Sequence, residues 1–140
     1  MDRRHISEEY TEIGHDLIEN EPELAELKEY GVTIIFLASD HEKKKGDKLV
    51  LGQCEKVSEK YKWGIPCEFT ITVFEPNVEG FTDDQIRILI FHELLHIGFN
   101  EKSGEPFVRA HDLEDFKVII DRYGTHWADP PIPEEEDLPF

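Results

Sequence analysis

The segment 83–97 constrains the fold most, because its pattern is that of a helix with marked ends and an apolar interior. Thr82 and Gln85 form a capping-box pattern at its start, and Gly98 stands where a helix end favours the left-handed conformation. Apolar residues fill most of the run 86–91 and continue after it on every side of the helix. A helix that is hydrophobic all round is buried. We therefore expect this segment to be a central, buried helix.

Three polar side chains interrupt this apolar segment: His92, Glu93 and His96. At about 3.6 residues per turn, positions 92 and 96 lie one above the other, and position 93 lies roughly 100° away. Two imidazoles and a carboxylate are costly to bury without partners, and a metal ion held by the histidines satisfies all three groups. The H-E-x-x-H pattern is typical of zinc hydrolases, with the glutamate as general base. Core histidines satisfied by ordinary hydrogen bonds are the less favoured alternative.

A catalytic zinc site needs a third protein ligand in addition to the two histidines of the motif. One extended pattern is excluded, because Phe99 and Lys102 occupy the positions of its glycine and its third histidine. His111 is the favoured third ligand, since it begins the next predicted helix after a loop long enough to fold back. Other candidates follow later in the chain: Glu114, Asp115 and His126.

Several polar side chains near the predicted third ligand are suited to assist the site. Acidic residues there can accept the outer N–H of a ligand imidazole: Asp112, Glu114 and Asp115. Two further residues are candidates for a second hydrogen-bond donor to a substrate oxyanion: Tyr123 and His126.

The rest of the chain shows alternating helix and strand signals. Apolar residues at helical spacing predict helices over about 7–20 and 111–123, and Pro22 is placed to start a short helix between them. β-branched and aromatic residues predict an inner strand over 32–38. Alternating polar and apolar residues predict a strand with one wet face over 69–74.

Length and composition indicate one domain over 1–128, followed by a tail. The tail, 129–140, is acidic and rich in proline, so we expect it to be extended or disordered. Cys54 and Cys67 match no metal or redox spacing and are expected to be free, buried thiols.

The charge balance bears on partners and location. The chain has 15 basic and 32 acidic residues, a net charge of −17, which argues against nucleic acid or an anionic membrane as a partner. The start of the chain lacks the apolar core of a secretion signal, and no apolar run approaches the roughly 18 residues of a membrane span. A cytoplasmic location is expected.

Together these residues resemble the phage metallopeptidase family of the zincin group, and more distantly the SprT-like proteases. The resemblance is carried by the motif run 90–97, by Gly104 with the run 111–116, and by 123–124 with Trp127 behind the second helix. It covers most of the chain, and this combination is much more specific than the short motif alone.

The resemblance implies an α+β fold that is zincin-like, in which a small mixed β-sheet packs on a central H-E-x-x-H helix with flanking helices. It implies one Zn²⁺ per chain, with His92, His96 and His111 as ligands and Glu93 as general base. It also implies a protein or peptide substrate whose backbone is aligned by an edge strand beside the cleft. The candidate residues for this strand are consecutive: Phe69, Thr70, Ile71, Thr72, Val73 and Phe74.

The predicted activity is hydrolysis of peptide bonds by a metal-activated water that Glu93 deprotonates. The alternative is a zinc-stabilised interaction module without catalysis, in which the acidic tail recruits a partner. Replacing Glu93 by glutamine separates the two, because only the enzyme would lose an activity while keeping its zinc.

Overall fold

The computed structural model describes residues 3–58, 67–109, 117–124 and 127–128. Its elements are, in chain order, β1 (Arg4–Ile6), α1 (Glu8–Asn20), α2 (Ala25–Glu29), β2 (Ile34–Ser39), β3 (Lys44–Lys45), β4 (Lys48–Leu49), β5 (Gly52–Lys56), β6 (Phe69–Phe74), α3 (Asp83–Leu95), β7 (Ile97–Phe99), β8 (Pro106–Val108) and α4 (Lys117–Tyr123). Short 3-10 turns precede α2, at Pro22–Leu24, and follow β6, at Glu75–Val78.

A four-stranded mixed sheet forms one layer of the fold, with the strand order β1-β2-β6-β5. β2 and β6 run parallel, whereas β1 pairs antiparallel with β2 and β5 pairs antiparallel with β6. The predicted mixed α+β class is confirmed. The strand predicted over 32–38 is an inner strand, as expected, because β2 has neighbours on both sides.

The prediction for residues 69–74 is wrong in one respect, because β6 is not an edge strand. It lies between β2 and β5 and is hydrogen-bonded to both. Its predicted wet face is also largely buried: Thr72 is 0% exposed, and its hydroxyl accepts a hydrogen bond from Nη1 of Arg4 at 3.3 Å. In the described part of the chain, the end of the sheet beside β6 is instead formed by β5.

Helix α3 packs on this sheet and against α1, and its start is where the sequence predicts it. The Thr82 hydroxyl accepts from the backbone N–H of Gln85, and the Gln85 side chain accepts from the backbone N–H of Thr82. Apolar residues on all sides of the helix are buried, Leu89, Ile90, Phe91 and Leu94 among them. The expected central, buried helix is confirmed.

The end of α3 differs from the prediction. The helix stops at Leu95, and Ile97–Phe99 continues as strand β7, paired antiparallel with β8. Gly98 is a buried strand residue and does not adopt the left-handed conformation that was expected of it. The glycine with a positive φ in this region is Gly104, which lies in the turn between the two strands and has φ +73°. Pairing with β8 gives the backbone groups of Ile97 and Phe99 hydrogen-bond partners, whereas a helix end would leave its last carbonyls without intrahelical partners.

Helix α1 packs against α3, and α4 reaches it through Arg122, whose guanidinium carbon lies 5.5 Å from the centre of the Phe91 ring. The Ser7 hydroxyl caps α1 by accepting from the backbone N–H of Tyr10, as predicted. In α4, Ile119 is fully buried and Gly124 ends the helix with φ +78°. The first part of the predicted helix, 111–116, and the predicted tail, 129–140, lie outside the described residues. Within the described ranges, no helix combines the length and the apolar character needed to cross a bilayer.

Candidate metal centre

The last turn of α3 and the residue that caps its end bring His92, Glu93 and His96 together. One nitrogen or oxygen atom from each lies within 4.8 Å of the other two. Oε2 of Glu93 is 3.8 Å from Nε2 of His92, and Oε1 is 4.0 Å from Nε2 of His96. The side chains of His92, Glu93 and His96 are 13%, 6% and 15% exposed. The cluster is therefore largely buried, with its two imidazoles still reached by solvent.

The orientation of His96 is fixed by Arg109, which directly follows β8. Nδ1 of His96 lies 2.7 Å from the carbonyl oxygen of Arg109. A carbonyl can only accept, so Nδ1 carries a proton, and in the neutral ring Nε2 then holds the lone pair. The backbone N–H of Arg109 donates to the carbonyl of His96 at 2.6 Å, and Nε donates to the carbonyl of Leu95 at 2.5 Å. Arg109 thus holds His96 in the tautomer that a metal ligand through Nε2 requires.

Glu93 reaches its position because Gly52, at the start of β5, has no side chain. A Cβ atom on Gly52 would lie 3.2 Å from Oε2 and 3.3 Å from Cγ of Glu93, and 3.2 Å from the carbonyl oxygen of Thr72. These distances are shorter than ordinary carbon contacts of about 3.5–4.0 Å. The glycine therefore permits the carboxylate to lie directly beside the last strand of the described sheet.

Cys54, two positions along the same strand, is an electrostatic neighbour of Glu93. Burial, with the negative charges of Glu93 and Glu55, raises the pKa of the Cys54 thiol well above its usual range. The thiol is therefore neutral near pH 7. Cys54 and Cys67 are both free, and Cys67 is buried while Cys54 is half-buried.

Trp127 forms a further wall beside the cluster. Its ring centroid is 6.0 Å from that of His92, with the two planes tilted by 45°. Its carbonyl oxygen accepts from Nε2 of Gln85 at 3.1 Å, so the residue that caps the start of α3 also ties the later chain to the helix. Arg109, Gly52 and Trp127 contact the motif through tertiary structure, and sequence reasoning gave none of them a role at the site. For Gly52 the sequence offers one indication, because a glycine inside a strand often marks a point where another group approaches the backbone closely.

The other predicted site residues lie either outside the described part of the chain or at some other place in the described fold. Several lie outside the described residues: His111, Asp112, Glu114, Asp115 and His126. Tyr123 is described at the end of α4, where its side chain is 40% exposed. Residues 69–74 lie inside the sheet, where their backbone groups already pair with β2 and β5.

Comparison with known protein families identifies the family of this chain. The family described as "Putative phage metallopeptidase" matches residues 3–131, which is nearly the whole chain. The chain belongs to this family. Neither curated proteins nor solved structures match it significantly.

The family name implies a bound metal, and the residues present fit one. Two imidazoles and a carboxylate converge on α3, and His96 is held with Nε2 as its lone-pair atom. Imidazole nitrogen suits zinc and other transition metals, and a hydrogen bond from the opposite ring nitrogen is what ligand histidines generally show. The donor set therefore supports a divalent transition-metal ion between His92 and His96, with Glu93 beside it.

Proposed function

We propose that the protein is a zinc-dependent peptidase with a zincin-like fold that hydrolyses peptide bonds of protein or peptide substrates. The observation that carries the proposal is the convergence of His92, Glu93 and His96, within 4.8 Å of one another, in a member of a metallopeptidase family. A structural role for the same three groups would not require solvent to reach them, yet both histidines are partly exposed.

The ligands in this proposal are His92, His96 and His111, with one Zn²⁺ per chain. His92 lies in the last turn of α3 and His96 caps its end, and the Arg109 carbonyl orients His96. His111 follows Arg109 closely in the chain, and Arg109 itself is bound to the end of α3 by three hydrogen bonds. This short connection supports His111 over candidates further along the chain.

Glu93 is the general base. When bound, zinc supplies a Lewis acid that lowers the pKa of water to about 7 and polarises the scissile carbonyl. Glu93 accepts a proton from the attacking water and later donates it to the leaving nitrogen of the substrate. Its carboxylate is held between the two histidines and the backbone at Gly52, so it enters the reaction already positioned.

The strand that aligns the substrate in this proposal is β5, which replaces β6. β5 is the last strand on its side of the described sheet and begins beside Glu93. An extended peptide that adds to β5 would bring its backbone close to the general base. We expect peptides N-methylated at single backbone amides to lose turnover at alternate positions, and uniform turnover across the series would contradict alignment by a strand.

The proposal is tested by replacing Glu93 with glutamine, with Glu12→Gln on the exposed face of α1 as the matched control. We expect the Glu93 variant to keep about one zinc per chain while its hydrolysis of an unfolded protein falls about 10²–10⁴-fold. The control should match wild type in both measurements. Wild-type hydrolysis by the Glu93 variant, or a zinc-loaded wild type that cleaves no member of a peptide library, would overturn the proposal.

A further inference from the structure

Trp127 contacts helix α3 at two points on the same face of the helix. Gln85 and His92 are seven residues apart, about two turns and about 10.5 Å along the axis, so their side chains share that face. At the first point, the Trp127 carbonyl oxygen accepts from Nε2 of Gln85 at 3.1 Å. At the second, the Trp127 ring lies 6.0 Å from the ring of His92. Trp127 therefore connects the start of α3 to the metal centre.

The side-chain amide of Gln85 makes one hydrogen bond as acceptor and another as donor. Its Oε1 accepts from the backbone N–H of Thr82 at 2.8 Å, and its Nε2 donates to the Trp127 carbonyl. The first bond belongs to the cap of α3, whereas the second is a tether for the later part of the chain. A carboxylate has acceptors only. Glutamate at position 85 would therefore keep the cap and remove the tether.

Other contacts hold the chain that leads to Trp127. The guanidinium of Arg122 in α4 lies 2.6 Å from the carboxylate of Glu21 and 3.0 Å from that of Glu23. Gly124 ends α4 with φ +78°, and the half-buried Trp127 packs against the apolar core. Loss of the tether alone should therefore release Trp127 from His92 without detaching α4.

The two histidines of the motif are oriented by different kinds of contact. Nδ1 of His96 is hydrogen-bonded to the Arg109 carbonyl at 2.7 Å. The ring of His92 contacts two other rings, that of His96 at 5.2 Å and that of Trp127 at 6.0 Å. Aromatic rings attract one another at centroid separations of about 4.5–7 Å. The Trp127 ring thus restricts the orientations that are open to the imidazole of His92.

We infer that Trp127 is a positioning residue for the metal ligand His92, and that Gln85 acts through Trp127 by tethering its carbonyl. The inference rests on the metal site of the proposed function, but not on peptide hydrolysis. A ligand that is already oriented binds a metal more tightly, because the apparent dissociation constant rises as the competent fraction of the protein falls.

The size of the effect follows from the rotamers of histidine. On a helix, two χ1 wells and roughly two χ2 orientations are open to this side chain, which gives about four states. If Trp127 selects one of them, its loss should raise the dissociation constant for zinc by up to about fourfold.

The test measures the dissociation constant for zinc by competition with a chromogenic chelator. We expect about a fourfold rise for Trp127→Ala and about a two- to fourfold rise for Gln85→Glu. The added charge of Gln85→Glu would by itself favour a cation, so weaker binding cannot come from that charge. The double variant should bind zinc as weakly as Trp127→Ala alone, because the tether has no effect once the ring is gone.

Thr82→Ala is the matched control for damage to the helix cap. It removes the hydroxyl that accepts from the backbone N–H of Gln85 but leaves the tether in place. We expect a lower urea midpoint, because the cap is lost, and a dissociation constant for zinc within about 1.5-fold of wild type. A purely structural role for Gln85 predicts instead that zinc binding weakens equally in Thr82→Ala and Gln85→Glu.

NMR of the imidazole C–H groups supplies a second measurement in the metal-free protein. Gln85→Glu should shift the signals of His92, because the Trp127 ring and its ring current move away. The signals of His96 should move much less, because Arg109 still holds that ring.

The outcomes separate this inference from the proposed peptidase. Unchanged zinc binding in Trp127→Ala and Gln85→Glu, additive losses in the double variant, or unmoved His92 signals in Gln85→Glu would overturn it, even if wild type cleaves peptides. Non-additive losses of zinc affinity in a protein whose wild type cleaves nothing would support it and refute the peptidase. A wild type that binds no zinc would overturn both.

Discussion

Enlarging Gly52 should reduce peptidase activity in steps while the zinc content stays constant. The Cβ of alanine would lie 3.2 Å from Oε2 of Glu93 and 3.2 Å from the carbonyl oxygen of Thr72. The Thr72 oxygen is part of the neighbouring strand backbone and cannot yield easily. The carboxylate of Glu93 must therefore move by a few tenths of an ångström to restore contacts of about 3.5 Å.

Valine at the same position places further carbon atoms towards Glu93 and demands a displacement of about 1 Å. Misplacement of a catalytic group by about 1 Å can cost about 10²-fold in rate. We expect kcat/KM to fall several-fold for Gly52→Ala and about 10²-fold for Gly52→Val. The three atoms nearest to that Cβ belong to Glu93 and Thr72 and not to His92 or His96, the proposed ligands, so zinc should remain near one per chain in both variants.

The assay is hydrolysis of a fluorogenic peptide, with zinc measured in the same samples and thermal unfolding used to confirm folding. The double variant Gly52→Val, Glu93→Gln supplies the control, because the valine should reduce the residual rate no further once the base is gone. A folded Gly52→Val protein with wild-type kcat/KM, or one that loses zinc along with activity, would refute the reasoning that Gly52 acts by admitting the Glu93 carboxylate.

Three further predictions concern stability and spectroscopy. Gly14→Ala places Cβ 2.1 Å from Cζ of the fully buried Phe36, so overpacking of about 1–3 kcal/mol outweighs the helix-propensity gain of about 1 kcal/mol. Urea unfolding should show a net loss near the upper end of that difference, about 2 kcal/mol, and an unchanged midpoint would contradict the packing. The pKa of Cys54 is raised in the fold above its ordinary value of 9.0, so its stabilisation is present below pH 9 and lost as pH rises further. Between pH 9 and about 11 the free energy of unfolding of Cys54→Ala should therefore fall less steeply than that of wild type, by up to about 1.4 kcal/mol per pH unit, and parallel curves would refute this. In a protein whose other tryptophan is replaced by phenylalanine, zinc should change the emission of Trp127, whose ring lies 6.0 Å from that of His92, and an unaltered spectrum at saturating zinc would contradict that placement.

The central helix could be predicted because its signals are local. The Thr82 and Gln85 pair defines the start of α3, and both hydrogen bonds of the capping box are present. The spacing of His92 and His96 is enough to place them on one face, since 3.6 residues per turn leaves no other arrangement on a regular helix. The end of the helix escaped prediction because it depends on the pairing of Ile97–Phe99 with a strand later in the chain.

The order of strands could not be predicted from the alternation of residues. Thr70 and Thr72 gave 69–74 the pattern of a strand with one wet face, yet Thr72 is buried and its hydroxyl is bonded to Arg4. Threonine is compatible with both settings, because it has a high β-propensity and a hydroxyl that a distant donor can satisfy. The neighbours of Glu93 and His96 could not be predicted either, because they are distant in the sequence. Gly52 and Arg109 contact the motif only through the folded sheet and hairpin.

The metal site itself is tested most directly by anomalous diffraction at the zinc edge from crystals of the zinc-loaded protein. The account predicts one peak per chain, about 2.0–2.1 Å from Nε2 of His92 and from Nε2 of His96. The carboxylate of Glu93 should lie beside the peak, and Nδ1 of His96 should still donate to Arg109. A map without a peak between these two nitrogens, or with the rings turned away from one another, would contradict it.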